Sequence, residues 1–264
     1  MNNYSPAQQK FLQGKRKEKQ WIHVAQIAVF LIFFIFWEIS ARKGWMDSFI
    51  FSSPSLILKT FWEMWKEHSL PVHIGITLTE TLISFLLVIL LSTCAAVFLW
   101  ASPYLSRILE PYLVILNSLP KSALAPLFIV WFGANQKTII IAGISVALFG
   151  SIITLYTGFL ETDPEIQKLV LTFGGNKYDI LTKIILPASV PLFLSIMKVN
   201  IGLCLVGVII GEFIGARKGL GYLIIYGSQT FKLTWVIMSI LILCVIAIIL
   251  YGILNCLEHR YLRK

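Results

Sequence analysis

The chain has 264 residues, 57% of them hydrophobic and only 13% charged, at a mean hydropathy of +0.81. That balance excludes a soluble globular domain, whose core needs a charged coat. It also excludes a disulfide-stapled scaffold, because Cys94, Cys204, Cys244 and Cys256 lie in apolar runs without paired spacing and read as reduced packing residues. The formal charge of +9 does not call for nucleic acid, since cytoplasmic Lys and Arg that orient membrane spans account for it.

Residues 1–20 form a basic head with Lys10, Lys15, Arg16, Lys17 and Lys19. The apolar run that follows lacks a small-residue cleavage pattern, so it is expected to stay as an anchor. Six spans are predicted: Trp21–Ser40, His73–Trp100, Arg107–Phe132, Thr138–Phe159, Ala188–Gly215 and Leu233–Cys256. The fold class is an all-α polytopic membrane protein, with the transmembrane domain at 21–259 and a cytoplasmic tail at 260–264. An even number of crossings puts both termini on one side. Twelve basic residues fall on the side of the head and tail and eight on the other, so both termini are expected in the cytoplasm.

Between the first two spans, 54–68 reads as an amphipathic helix at the outer interface, with Leu56, Phe61, Met64 and Trp65 on its apolar face. The third span carries Pro120 and Pro126, which remove two backbone donors, and a kinked or broken helix is expected there. Gly202, Gly207 and Gly211 on the fifth span favour close helix approach.

The segment 160–187 is a polar excursion with organised helix signals. Asp163 can cap a helix that starts at Pro164, and Ile166, Leu169, Val170 and Phe173 then form one apolar face. Gly174 and Gly175 end that helix. Asn176, with Asp179 three residues on, starts a second, whose inner face is expected to hold Tyr178, Leu181, Ile184 and Ile185 up to Pro187. The segment is thus a cytoplasmic helix–turn–helix. It can either pack on its own span ends or serve as a contact surface.

The spacing of Gly174, Ile184, Leu186 and Pro187 resembles G-x9-I-x-L-P, half of the cytoplasmic-loop signature of permease subunits of binding-protein-dependent ABC importers. Lys168, Leu169 and Val170 stand where that family has Glu-Ala-Ala. Pro126-Leu127 before Trp131-Phe132-Gly133, Pro187-Ala188 with Pro191, Glu212, and Gly219-Leu220-Gly221 extend the resemblance over roughly 70–260, toward the branch that takes up nitrate, sulfonates, taurine and vitamin precursors. The resemblance implies a bacterial or archaeal plasma-membrane protein working as a homodimer. It also implies two copies of an ATP-binding subunit inside, which use ATP and Mg, and an extracytoplasmic binding protein outside. On the same resemblance, Phe173, Gly174, Gly175, Asn176, Lys177, Tyr178, Asp179, Leu181, Ile184, Leu186 and Pro187 would dock the 160–187 coupling loop to the ATPase.

Ionisable residues at membrane depth are functional candidates by default. Lys198 falls about 16 Å from Pro187, Lys121 about 20 Å beyond Arg107, and Glu80 in the outer half of the second span. The lysines could attract an anion along a translocation path, or pair with Glu80, carbonyls or water. Glu212 is expected in an interfacial structural role. The chain has no G-x4-G-K-[ST] phosphate loop, and His23, His68, His73 and His259 have no metal-ligand spacing. A non-catalytic subunit without bound cofactor or metal is therefore expected. A secondary transporter or channel acting alone is the alternative; it would need coupling-ion ligands in the spans and no docking loop.

Overall fold

In hydrocarbon the backbone has no water to satisfy it, so apolar runs of this length become helices. The computed structural model describes residues 6–262; the ends of the head and tail, 1–5 and 263–264, lie outside the described residues. The helices follow in the order α1 (Pro6–Arg42), α2 (Ser48–Phe51), α3 (Pro54–Lys66), α4 (Ser69–Ala101), α5 (Pro103–Ser118), α6 (Lys121–Phe132) and α7 (Gln136–Leu160). They continue with α8 (Pro164–Thr172), α9 (Lys177–Ile180), a π turn at Leu181–Ile185, α10 (Leu186–Ala188), α11 (Val190–Gly215), α12 (Leu220–Gln229) and α13 (Leu233–Leu262). Among the described residues, α1, α4, α7, α11 and α13 are each long and apolar enough to span a membrane; α5 and α6 together would make a sixth crossing.

The expected third span is two helices that meet at 96°. The break falls at Leu119–Pro120, where Leu119 turns extended (φ −64°, ψ 138°) because a proline drives its predecessor out of the helical region. Pro126 sits inside α6 and Pro111 inside α5 without breaking either helix. Lys121 is therefore not deep in one straight span; it opens the second arm of a bent one.

α4, α7 and α11 form the centre. Their contact is close because it is made by small residues: a Cβ placed on Gly207 would meet Gly143 Cα at 2.8 Å and the Ala142 carbonyl at 2.9 Å. Gly211 similarly faces Ile139 Cα at 3.2 Å. Gly202, expected to do the same, faces open space. Around this centre the core has three parts. One, under α3 and α12, is built on Leu70, Leu205, Leu220 and Met238; a middle one on Phe85, Val88, Ile201 and Cys204; and one at the loop end on Ala96, Leu155, Phe159, Ile180 and Ile185. Of the four cysteines, only Cys204 packs inside; the other three are free thiols on helix surfaces.

The amphipathic segment forms as α3, capped by Ser53, but it buries Ile57 and Met64, while Leu56 and Trp65 of the expected face are exposed. Those two buried residues lie seven apart, two helical turns, and Trp65 leaves the face to stack on Phe61. α12 was not anticipated from the sequence. It is a ten-residue helix of modest length that folds back between α11 and α13 and buries Leu220, Gly221, Leu223 and Gly227.

Gly207→Val is expected to destabilise the protein by about 1–3 kcal/mol, because the contacted Gly143 Cα and Ala142 carbonyl are backbone and cannot move aside. Gly202→Val serves as the control and should leave abundance unchanged. Thermal unfolding and membrane abundance of the two variants check this, and equal behaviour would contradict the close-packed centre.

Candidate functional site

The loop at 160–188 is built from local signals that the backbone obeys closely. Asp163 accepts the Glu165 N–H at 2.8 Å, and Pro164 occupies the first helical position of α8. At the other end, the Gly174 N–H reaches the Leu171 carbonyl (3.0 Å) and the Gly175 N–H the Val170 carbonyl (2.9 Å), a Schellman closure that needs the left-handed φ of +80° at Gly174. Asn176 and Asp179 then exchange side-chain and backbone hydrogen bonds at 3.0 Å in a reciprocal cap. The bonded Lys183 ammonium, 2.7 Å away, and the Asn176 N–H hold Asp179 below the ordinary carboxylate range. With the folded value depressed, this contribution is present above the unfolded value of 3.8 and is lost only as pH falls through the lower folded one. The cap is complete at neutral pH.

From α9 the chain widens into the π turn, in which the Leu186 N–H returns to the Leu181 carbonyl. Pro187 has no N–H and would crowd the carbonyl four residues back, and the wider turn relieves that. It also brings Ile180 and Ile185, five apart, to the same buried side against Ala96, Leu155 and Phe159. Leu181 and Leu186 pack partly on this cluster, so they brace the loop. Tyr178 departs from the expected inner face: it is 71% exposed, as Phe173 is 82% exposed. The pattern assigned Tyr178 to an α-helical stripe, whereas the π turn shifts the buried stripe to Ile180. The result is a tip at Phe173–Asp179 with two bare aromatic rings, flanked by exposed Ile166, Leu169 and Leu171. Gly174 has nothing within 4 Å of a built Cβ. Lys168 and Leu169, where the resembled family carries acidic and small residues, are exposed on α8.

The three candidate residues at membrane depth are not brought together. Lys198 pairs with Glu258 Oε2 of α13 at 2.5 Å and lies 6.0 Å over the Tyr251 ring; Glu80 is not its partner. Lys121 donates to the Leu116 carbonyl, which the break leaves free, and sits 5.3 Å over Phe149. Glu80 lies in the first half of α4, 1% exposed, beside Glu212, and among the described residues neither of its oxygens finds a hydrogen-bond partner. It borders a cavity of about 210 Å³ that Asn135, Gln136, Arg217 and Lys218 also line.

Glu212 is fully buried instead of interfacial. Thr77 donates to its Oε1 at 2.6 Å and the Gly221 N–H to its Oε2 at 2.5 Å. The Leu220 N–H donates to Thr77 Oγ1 at 2.8 Å, and the Gly219 N–H to His73 Nδ1 at 2.9 Å. This network ties α4, α11 and the start of α12 together. Gly219 takes φ +119° with its open side against the Glu212 carboxyl, which accounts for the Gly-Leu-Gly run.

A second cavity, of about 440 Å³, lies between the end of α5 and the facing sides of α7 and α11. Asn117, Ser151, Thr154, Ser195 and Asn200 supply its polar lining. Asn200 is 3% exposed, and its Oδ1 accepts the Ser151 hydroxyl at 2.8 Å. Sequence reading passed these residues over because neutral amides and hydroxyls do not stand out in apolar spans as charges do. Asn200, a buried amide near the middle of a span, was the available signal.

Residues 88–263 match the family model described as the binding-protein-dependent transport system inner membrane component. A probable ABC transporter permease protein of Haemophilus influenzae is 28% identical over 88% of this chain and 94% of its own length. The formylaminopyrimidine transport permease protein ThiX of Halalkalibacterium halodurans is 26% identical (87% and 91% covered), and a putative aliphatic sulfonates transport permease protein SsuC of Bacillus subtilis 25% identical (94% and 89% covered). Among solved structures, a chain of the inward-facing MetNI methionine ABC transporter superposes with a TM-score of 0.66 at 18% identity, over 75% of this chain and 96% of that one, which establishes the shared fold. The chain belongs to the binding-protein-dependent transport system inner membrane components: it is a non-catalytic, multi-pass permease of an ABC importer whose ATPase and binding protein are other chains.

Proposed function

We propose that this permease forms, as a homodimer, the translocation pathway for a small solute of the sulfonate, nitrate, taurine or vitamin-precursor type, and that its 160–187 loop docks into the ATPase subunit. The observation that carries the docking reading is the bare tip at Phe173–Asp179 on a rigid base. Large apolar side chains left in water at the end of a braced element mark a contact surface, and a braced element transmits displacement where a loose loop would absorb it. The division of labour within the candidate set follows: Phe173 to Asp179 make the contact, Leu181 and Leu186 hold it on the helix ends, and Ile184 and Pro187 belong to the π turn and its exit. The transmembrane domain spans 21–259 in this reading, with head and tail on the ATPase side. Family membership decides against a carrier acting alone, since importers of this family draw their energy from a partner chain. Sulfonates and a vitamin-precursor pyrimidine are the solutes of relatives named above, nitrate and taurine come from the motif resemblance, and identities near 25% leave the class open among them.

Lys198 belongs to the scaffold in this reading. Its ammonium is committed to Glu258, and a committed, half-buried ion pair has little attraction left for a passing anion. Lys198→Met or Glu258→Leu alone should destabilise the α11–α13 contact, and the double variant should recover about 1–3 kcal/mol of that loss. Thermal unfolding of the four proteins in a double-mutant cycle reads this; additive losses would return Lys198 to the pathway.

Cysteines introduced at positions 10 and 262 should be labelled only from the cytoplasmic side, and labelling of either from outside would overturn the assigned orientation. Gly174→Val should uncouple transport while the permease stays in the membrane. A β-branched residue at φ +80° is strained by about 1–3 kcal/mol, enough to move the tip, while the spans fold without it. ATPase pull-down and ATP-dependent uptake, both normalised to permease abundance, make the measurement. Normal association and uptake would remove the docking reading.

A further inference from the structure

The geometry points to a solute-binding site in the cavity of about 440 Å³ between α5, α7 and α11, built from neutral hydrogen-bonding groups and suited to an uncharged or singly anionic solute rich in acceptor oxygens or nitrogens. This rests on the reading that these faces line the translocation pathway.

The cavity has the size of small-molecule sites, and its wall has their chemistry: a mostly apolar surface with a few convergent polar groups. Gly150 opens it on the α7 side, where Asn117 Oδ1 lies 3.2 Å from the position a Cβ would occupy, so the amide at the end of α5 is laid over α7. The Asn200 amide is held from behind: its Oδ1 lies 2.8 Å from Ser151 Oγ, whose single proton is shared between that oxygen and the Ala147 carbonyl at 2.7 Å. That leaves the Asn200 NH2 for the cavity. Thr154 donates its proton to the Gly150 carbonyl at 2.8 Å and keeps its lone pairs. The groups left to offer protons are thus the NH2 of Asn200 and the hydroxyl of Ser195 on α11 and, across the cavity, the NH2 of Asn117 on α5.

None of the lining residues is ionisable. A cation brought out of water would need a carboxylate or a cage of carbonyls, and this wall supplies neither. An acceptor-rich head needs donors, which the wall does supply. Neutral donors also hold an anion less tightly than a lysine would, which suits a site that must release what it receives.

The test uses the whole complex, permease with its ATPase and binding protein, in proteoliposomes. Three radiolabelled probes are offered: ethanesulfonate as an anion, formylaminopyrimidine as a neutral acceptor-rich solute, and putrescine as a cation. ATP-dependent uptake of ethanesulfonate or formylaminopyrimidine and none of putrescine is the expected result. Uptake of putrescine, or of neither acceptor-rich probe, overturns the assignment of solute class. For the carried probe, Asn200→Leu should raise the KM of uptake at least tenfold while binding-protein-stimulated ATP hydrolysis continues. Ser195→Leu and Asn117→Leu, both at exposed positions that folding tolerates, should each raise it severalfold. An unchanged KM in these two variants at normal abundance overturns the site. Loss of ATP hydrolysis with the ATPase detached would instead strike the docking reading, so the two failures are distinguishable.

Discussion

The approach of α7 and α11 at Gly143 and Gly207 is the constraint on which the rest of the molecule depends. In a bilayer the hydrophobic effect does not drive helix against helix, since lipid tails are as apolar as leucine; close van der Waals contact and a few polar bonds must do it. Glycine faces permit that contact, and Ser84 on α4 adds a hydroxyl that donates to the Ile140 carbonyl at 3.2 Å. Around this contact sit α12 with its carboxylate network, the loop anchors Ile180 and Ile185, and the amide-lined cavity.

Polar groups at membrane depth divide by how their demands are met. Glu212 receives donors from two other parts of the chain and so becomes a tie among α4, α11 and α12. Lys121 satisfies the Leu116 carbonyl that the break at Leu119–Pro120 leaves without a backbone donor. Lys198 has Glu258. Both lysines expected to serve a solute therefore have a structural claim on them, whereas Glu80 keeps two unbonded oxygens beside Glu212, and the neutral residues of the larger cavity hold further free hydrogen-bonding capacity.

What could be read from the sequence was local. Apolar runs long enough to cross a bilayer located the long helices, and Asp163-Pro164, Gly174-Gly175 and Asn176-x-x-Asp179 located the loop helices and their stops, because a cap depends on residues three or four apart. What could not be read was long-range or cooperative. Glu258 is 60 positions from Lys198, and nothing local pairs them. The juxtaposition of Glu80 with Glu212 depends on how α4 lies on α11. Tyr178 was misassigned because an α-helical period was carried through a turn that Pro187 forces into π geometry. α12 escaped notice because ten residues between two spans are too few to show a membrane period.

The path from tip to cavity is short and has no soft joint. The reciprocal cap at Asn176 and Asp179 fixes the start of α9, the π turn carries the chain without a loop into α10, and α10 passes through Ser189 into α11. Asn200 sits eleven residues beyond Ser189 on that same helix, about 16 Å along its axis. A displacement imposed on Phe173 to Asp179 can be lost only at the Ile180–Ile185 anchor, which is packed on α4 and α7, or passed along α11 to the cavity wall. Because α7 supplies both part of that anchor, through Leu155 and Phe159, and the opposite wall, through Ser151 and Thr154, the two sides of the cavity are attached to one base. Rotation of that base as a unit would move the cavity without changing its shape. Sliding of α11 against α7 would separate Asn200 from Ser151 and open the site, and it would have to carry Val146 past Gly207 and Val208 past Gly143, so the glycine contact resists it.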